Sequence, residues 1–229
     1  MGWIDRTPPE WIELLVEQAK PRKGLHVTDC LGCPRRRAGL AEGWTVDLAR
    51  LDARLVGSIM HAKLATRGCC SETPVSGKLF GYDIEGSVDR IEHGGPGELV
   101  FTADYKTSEE YRPIPQAPYA EQVWQQECYR YLMDQVGKRT DGWRIYYRKP
   151  GKWACYEHIG PLWTEDELAA FRPHGGAFTT AEIAAQCVSG LPAASLPLAG
   201  ASQKIGKLSA CEYCELQVAC NGAGVEVEL

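Results

Sequence analysis

Apolar positions recur at helical spacing in two stretches early in the chain. Trp11, Leu14, Leu15 and Ala19 form one stripe. Thr7-Pro8-Pro9-Glu10 precedes it with an N-cap, a proline at the first helical position and a capping-box acid, so a helix is predicted over 8–20. Leu48, Leu51, Leu55, Ile59 and Ala62 share a face and predict a second helix over 47–66. The chain then reads as strand over 79–92 and again over 97–107, with the turn formers His93-Gly94-Gly95-Pro96-Gly97 joining the two as a hairpin. A long helix is predicted over 117–136, capped by Gly137, followed by strands 142–149 and 152–159 across Pro150-Gly151. Thr164-Glu165-Asp166-Glu167 and the stretch from Thr180 to Gly190 predict two short helices. Residues 191–207, rich in Pro, Ala, Ser and Gly, read as a flexible connection to a cysteine-rich tail. There is no internal repeat. Helix, β-meander, helix and more β is the order of an α/β protein in the mixed α+β sense.

Composition narrows the class. The chain has 229 residues, 44% hydrophobic and 24% charged, which is globular rather than disordered and enough for one domain with a sizeable core. No apolar run approaches the roughly 20 residues of a membrane helix. The N-terminus lacks the apolar core of a signal peptide, so a cytoplasmic protein is expected. Ten cysteines in an intracellular chain point to metal rather than to disulfides.

The net charge of −5 would count against nucleic acid if charge were evenly spread, but it is not. Six basic residues (Lys20, Arg22, Lys23, Arg35, Arg36, Arg37) stand against Asp29 alone, and six more (Lys138, Arg139, Arg144, Arg148, Lys149, Lys152) against Asp141. Such segments build a phosphate-binding surface or simply a solvated one. Trp143, Tyr146, Tyr147 and Trp153 interleave with the second segment, either as base-stacking platforms or as core residues of a hairpin.

Two constellations carry chemistry. Asp104 and Lys106 alternate with Tyr105, so the acid and the amine share one strand face. A carboxylate that holds a hard divalent cation beside an ammonium suits phosphodiester hydrolysis, whereas the bland reading is a surface salt bridge. Asp89, in Gly86-Ser87-Val88-Asp89 on the preceding strand, is placed to converge on the same metal; Asp83 and Glu85 share its face and read as a polar face rather than as ligands. His61 lies late in the second predicted helix, where a lone histidine is more often a structural residue than a ligand. Gln125, Tyr129 and Leu132 share a helix face, with Leu132 expected in the core. The second constellation is Cys211-x2-Cys214-x5-Cys220, three thiolates close enough in sequence for a metal centre. A fourth ligand must come from elsewhere, Cys33 or its competitor Cys30; a 4Fe-4S cluster and a zinc ion both suit four thiolates. Cys69, Cys70, Cys128, Cys155 and Cys187 read as structural.

Taken in order, Cys33-Pro-Arg-Arg, Gly57-x3-His61, Gly86-x-Val-Asp89, Asp104-Tyr-Lys106, Gln125-x3-Tyr129 and the three-cysteine tail resemble the RecB-like branch of the PD-(D/E)XK nuclease superfamily. Within that branch the likeness is to its iron–sulfur exonucleases, including the small CRISPR-associated RecB-like family. The resemblance spans about residues 25–221. It implies a restriction-endonuclease-like core over 75–160, with helices flanking a central mixed sheet. The N-terminal part over 8–66 would carry the first cluster cysteine, and the closing segment over 208–221 the other three, all within one domain over 1–229. His61, Asp89 and Asp104, with the Tyr105 carbonyl, would bind Mn²⁺ or Mg²⁺. Lys106 would be catalytic, with Gln125 and Tyr129 as the family's paired motif. Cys33, Cys211, Cys214 and Cys220 would hold a 4Fe-4S cluster that staples the two ends together. Arg35, Arg36 and Arg37, and Arg144, Arg148 and Lys149, are the expected DNA contacts. Val88 stands where the superfamily name has proline.

The implied activity is a metal-dependent DNA exonuclease acting on single strands or ends. No phosphate-binding loop of a helicase is present, so ends must be exposed already or opened by a partner. One role is trimming DNA for CRISPR spacer acquisition beside the integrase; another is phage or host recombination and repair with a helicase partner. From other classes come a non-catalytic Fe–S or zinc DNA-binding module and a zinc-stapled protein-interaction domain.

Overall fold

The computed structural model describes residues 13, 20, 22–47, 72–94, 97–107, 113–197, 199–205, 208–209, 211, 214 and 216–222. The helices expected over 8–20 and 47–66, and with them His61, Cys69 and Cys70, lie outside these residues. Among the described residues no helix is long and apolar enough to cross a membrane.

Two mixed sheets share the strands. The first orders β1 (Leu25–His26), β3 (Tyr82–Val88) and β2 (Thr73–Leu79), with β1 parallel and β2 antiparallel to β3. The second orders β4 (Arg90–His93), β5 (Val100–Thr107), β6 (Gly142–Lys149) and β7 (Lys152–Ile159), in which only the β5–β6 pair is parallel. The stretch expected as one strand over 79–92 is therefore cut twice. The first cut is a two-residue turn at Phe80-Gly81, both with positive φ (56° and 79°), as a primed hairpin turn requires. Phenylalanine is an unusual residue there, which is why β2 was not legible. The second cut falls at Asp89, where the chain leaves one sheet for the other: Val88 pairs with Thr73, but Arg90 pairs with Ala103.

Between the β5–β6 crossover runs α2 (Ala120–Gln135); the shorter α1 (Pro34–Ala41) begins just after Cys33. The middle of α2 is buried on nearly every side. Trp124, Cys128 and Leu132 join Val75, Leu79, Ile84 and Val88 of β2 and β3 in the core. Trp124 also donates its indole N–H to the Leu168 carbonyl at 2.9 Å and stacks on Phe171. Towards β6, Glu127 and Arg130 form a fully buried pair at 2.9 Å. Its remaining valences are met, since Trp143 donates to Glu127, and Arg130 to the Gly160 carbonyl and Thr140. Such a pair is tolerated inside a protein only when it is satisfied in this way. The helix ends at Val136, and Gly137 follows with φ 73°, the left-handed residue that the expected cap demands.

The helices α3 (Glu165–Ala170) and α4 (Thr180–Val188) each start from a threonine capping box, Thr164 with Glu167 and Thr179 with Glu182. The stretch after α4, expected to be a flexible connection, is packed instead. Ala193, Leu196, Ala199 and Gln203 are buried, and a 3-10 turn over Ala193–Ser195 leads to α5 (Ala199–Ser202). The reason is Arg35 of α1, whose guanidinium donates to the carbonyls of Leu196 and Ala194. The last described elements are the short pair β8 (Lys204–Ile205) and β9 (Leu208–Ser209), then α6 (Gln217–Gly222).

Candidate functional site

The seam between the two sheets opens as a cleft. The β4–β5 ladder ends at Arg90–Ala103, so β5 continues past it paired with β6 alone, and the register carried one step further sets Asp89 opposite Asp104. Asp89, freed from the ladder by the bend, accepts the Tyr105 backbone N–H on its Oδ2 at 2.8 Å. Asp104 is 3% exposed. Its Oδ2 lies 2.8 Å from Nζ of Lys106 but makes no aligned hydrogen bond. Burial first, and then the adjoining Asp89, push the Asp104 carboxyl above the ordinary range, while Lys106 opposes them.

Strand alternation places the rest. Asp104 and Lys106 face α2, while Tyr105 turns to the other face and stacks on Tyr146 at 5.0 Å. From α2, Gln125 receives Lys106 Nζ at 3.5 Å on its carbonyl oxygen and donates from its amide to the Tyr129 hydroxyl at 2.7 Å. Tyr129 is buried, which raises its phenol. Its ring rests on Gly86, where an added Cβ would meet Cε1 at 2.6 Å; the glycine of the Gly-x-Val-Asp stretch is thus the floor beneath the tyrosine. Asp89, Asp104, Lys106, Gln125 and Tyr129 together line a cleft of about 820 Å³. Arg22, His26, Thr28 and Glu72 line it too, and no sequence signal singled them out for it. Glu85 is on its rim, whereas Asp83 pairs with Lys78 on the surface.

Two facing carboxylates in one cleft, the buried one ion-paired to Lys106 at 2.8 Å, are donors that suit a hard divalent cation. Among the described residues, no three His, Cys, Asp or Glu side chains stand at metal-holding distances. The third ligand that the resemblance names, His61, lies outside those residues.

The thiols sort into two groups. Cys33 and Cys211 meet over Gly200, whose added Cβ would lie 3.6 Å from Cys33 Cβ and 3.2 Å from Cys211 Sγ. Burial, with Cys33, Cys214 and Cys220 close by, pushes the Cys211 thiol up to about 12. Arg35 reaches Cys220 Sγ at 4.0 Å. Among the described residues no three of these thiols stand at metal-holding distances, so the approach of Cys33 to Cys211 is what the structure shows of the expected cluster. Cys30, by contrast, is fully buried in the core with Cys128, and Cys187 packs against them. Of the five cysteines expected to be structural, Cys155 is exposed on β7.

The expected DNA contacts scatter. Arg35 is 5% exposed and bound to backbone carbonyls, so it has no face for a phosphate. Arg37 binds Asp29 and the Gly24 carbonyl, and with Arg36 it lines a neighbouring cleft. Arg144 is held by Glu92 and Glu157 above the Phe101 ring. Arg148 is exposed near the end of β6, next to Lys149, and neither lines the cleft of Asp89 and Asp104. The interleaved aromatics are not a stacking platform. Trp143 and Tyr147 are buried against α2, Tyr146 is stacked on Tyr105, and only Trp153 is widely exposed.

No curated protein matches this sequence. The crystal structure of SSO0001 matches with a TM-score of 0.58 at 19% identity, covering 94% of this chain and 95% of that one, a likeness of fold. The sequence profile of the PD-(D/E)XK nuclease superfamily matches residues 10–221. With an acidic pair and a lysine at a sheet seam and a match over nearly its full length, the chain belongs to the PD-(D/E)XK nuclease superfamily.

Proposed function

We propose that this nuclease is a DNA exonuclease of the RecB-like branch, acting on single strands or exposed ends with Mn²⁺ or Mg²⁺, and that a 4Fe-4S cluster on Cys33, Cys211, Cys214 and Cys220 ties its ends together as one domain. The observation that carries the reading is the meeting of Asp89, Asp104 and Lys106 in one cleft under Gln125 and Tyr129.

Asp89, Asp104 and the Tyr105 carbonyl, with His61 as the fourth ligand that the resemblance implies, would hold the divalent cation, which would supply Lewis acidity at the scissile phosphate and a more acidic water. Lys106 holds its ammonium where charge develops on the phosphate, and the Asp104 contact fixes its position. Gln125 braces Lys106, and Tyr129 braces Gln125, so the amine does not swing into solvent. The biological role is spacer trimming beside a CRISPR integrase or end processing in recombination with a helicase partner; neighbouring genes discriminate between the two.

The test uses linear and circular single-stranded DNA with Mn²⁺ and with EDTA. Metal-dependent loss of the linear strand with the circle intact is expected. Cutting of the circle would make the enzyme an endonuclease, and binding without cleavage would favour the non-catalytic module.

A further inference from the structure

The acidic cleft continues into a second one. A cleft of about 680 Å³ lies between the Thr28–Gly32 turn, α1 and the C-terminal end of α4, and Arg22 and Thr28 line both. Charge changes sign across that junction. The catalytic cleft carries Glu72, Glu85, Asp89 and Asp104 against Arg22 and Lys106. The second carries Lys20, Arg22, Arg36 and Arg37 against Asp29 and Glu42. An acidic cleft suits a cation but repels a polyanion, so a substrate strand needs cationic contacts beyond the scissile phosphate.

We propose that the second cleft seats the stretch of nucleic-acid strand adjoining the scissile phosphate. Arg22 grips a phosphate at the junction, and Arg36 and Lys20 grip those beyond it. Arg37 works as a brace, its guanidinium tying Asp29 and the Gly24 carbonyl into the wall. Gln186, on the same lining, has a buried carbonyl oxygen without a hydrogen-bond partner, an acceptor for a base amine or a sugar hydroxyl. The proposal deepens the nuclease reading and rests on it for the identity of the strand.

The experiment measures binding of a labelled thymidylate tetramer and hexadecamer in EDTA, over a salt series, so that it is independent of cleavage. Wild type should bind the hexadecamer about tenfold or more tightly than the tetramer, with a log–log slope near −0.7 per phosphate neutralised. Arg22→Gln and Arg36→Gln should each flatten the hexadecamer slope by about 0.7. Arg139→Gln, a change at a surface arginine that lines neither cleft, should leave it unchanged. Arg22 is exposed, so its variant should fold even if the Arg36 variant does not. An unchanged slope in the Arg22 variant, or equal flattening by Arg139→Gln, overturns the proposal. Length-dependent binding that Arg22→Gln weakens, without any Mn²⁺-dependent cleavage by wild type, upholds the strand seat and sinks the nuclease reading instead.

Discussion

Asp104 sits almost wholly out of water with its Oδ2 beside an amine but outside good hydrogen-bond geometry, and with a second carboxylate across from it. As a ligand of the proposed metal site, a side chain so placed would destabilise the metal-free fold and stabilise a bound cation. Asp104→Asn should therefore lower cleavage by about 10²-fold or more, as expected for loss of one electrostatic stabiliser. In EDTA the variant should melt at or above wild type. Wild type should gain about 2.7 kcal/mol at a metal concentration 100-fold above its Kd, and the variant little of that. A variant that melts well below wild type in EDTA would show that the carboxylate is structural. Gly86 poses the complementary question of space. Alanine there would drive Cβ into the Tyr129 ring and near Val27, so Gly86→Ala should cost about 1–3 kcal/mol in urea unfolding and reduce activity by shifting Tyr129 from Gln125. A cycle with Tyr129→Ala should be non-additive if the ring is the obstacle.

Among the elements, α1 illustrates how a basic sequence run misleads. Arg35, Arg36 and Arg37 are consecutive, yet at 100° per residue they point in different directions. One is buried against the 193–196 stretch, and the other two line the second cleft. Arg35→Met keeps much of the stem and removes the donors, leaving the Leu196 and Ala194 carbonyls without them at about 1–3 kcal/mol for each unsatisfied group. The expected result is a lower melting temperature and protease sensitivity in the stretch after α4, with an unaltered salt slope for DNA binding. A flattened slope with unchanged stability would return Arg35 to the DNA surface. The two threonine boxes at α3 and α4 were readable because capping is local. Backbone and then side-chain bonds to the two threonines hold Glu167 and Glu182 below the ordinary carboxylate range. The sign follows from linkage: the caps contribute stability above the unfolded value of about 4.3 and lose it as pH falls through the lowered folded values.

Over the whole molecule, the proposed cluster would join Cys33, just before α1, to Cys211, Cys214 and Cys220, while the main core of α2, β2 and β3 contains none of the four. Loss of one ligand should therefore loosen the periphery rather than abolish the fold. Cys211→Ser is expected to lose brown colour and iron, and to melt several degrees lower, while hydrogen exchange in α2 stays protected. Cys30→Ser should keep its iron and instead weaken the core in which the thiol is buried. An anaerobically purified wild type that is colourless and holds one zinc would sink the iron–sulfur assignment and leave the nuclease reading intact.

What the sequence determined by itself is what depends on neighbours along the chain. Strand alternation put Asp104 and Lys106 on one face and Tyr105 on the other, helical spacing put Gln125 beside Tyr129, and glycine marked the end of α2. What it left open depends on contacts between distant segments. The hairpin at Phe80-Gly81 uses an unusual residue that tertiary packing holds in place. The break at Asp89 exists because two sheets with different partners meet there. The direction of each arginine, the order in the stretch after α4, and the meeting of Cys33 with Cys211 are set by packing, since a side chain's partners are chosen by the fold and not by its sequence neighbours.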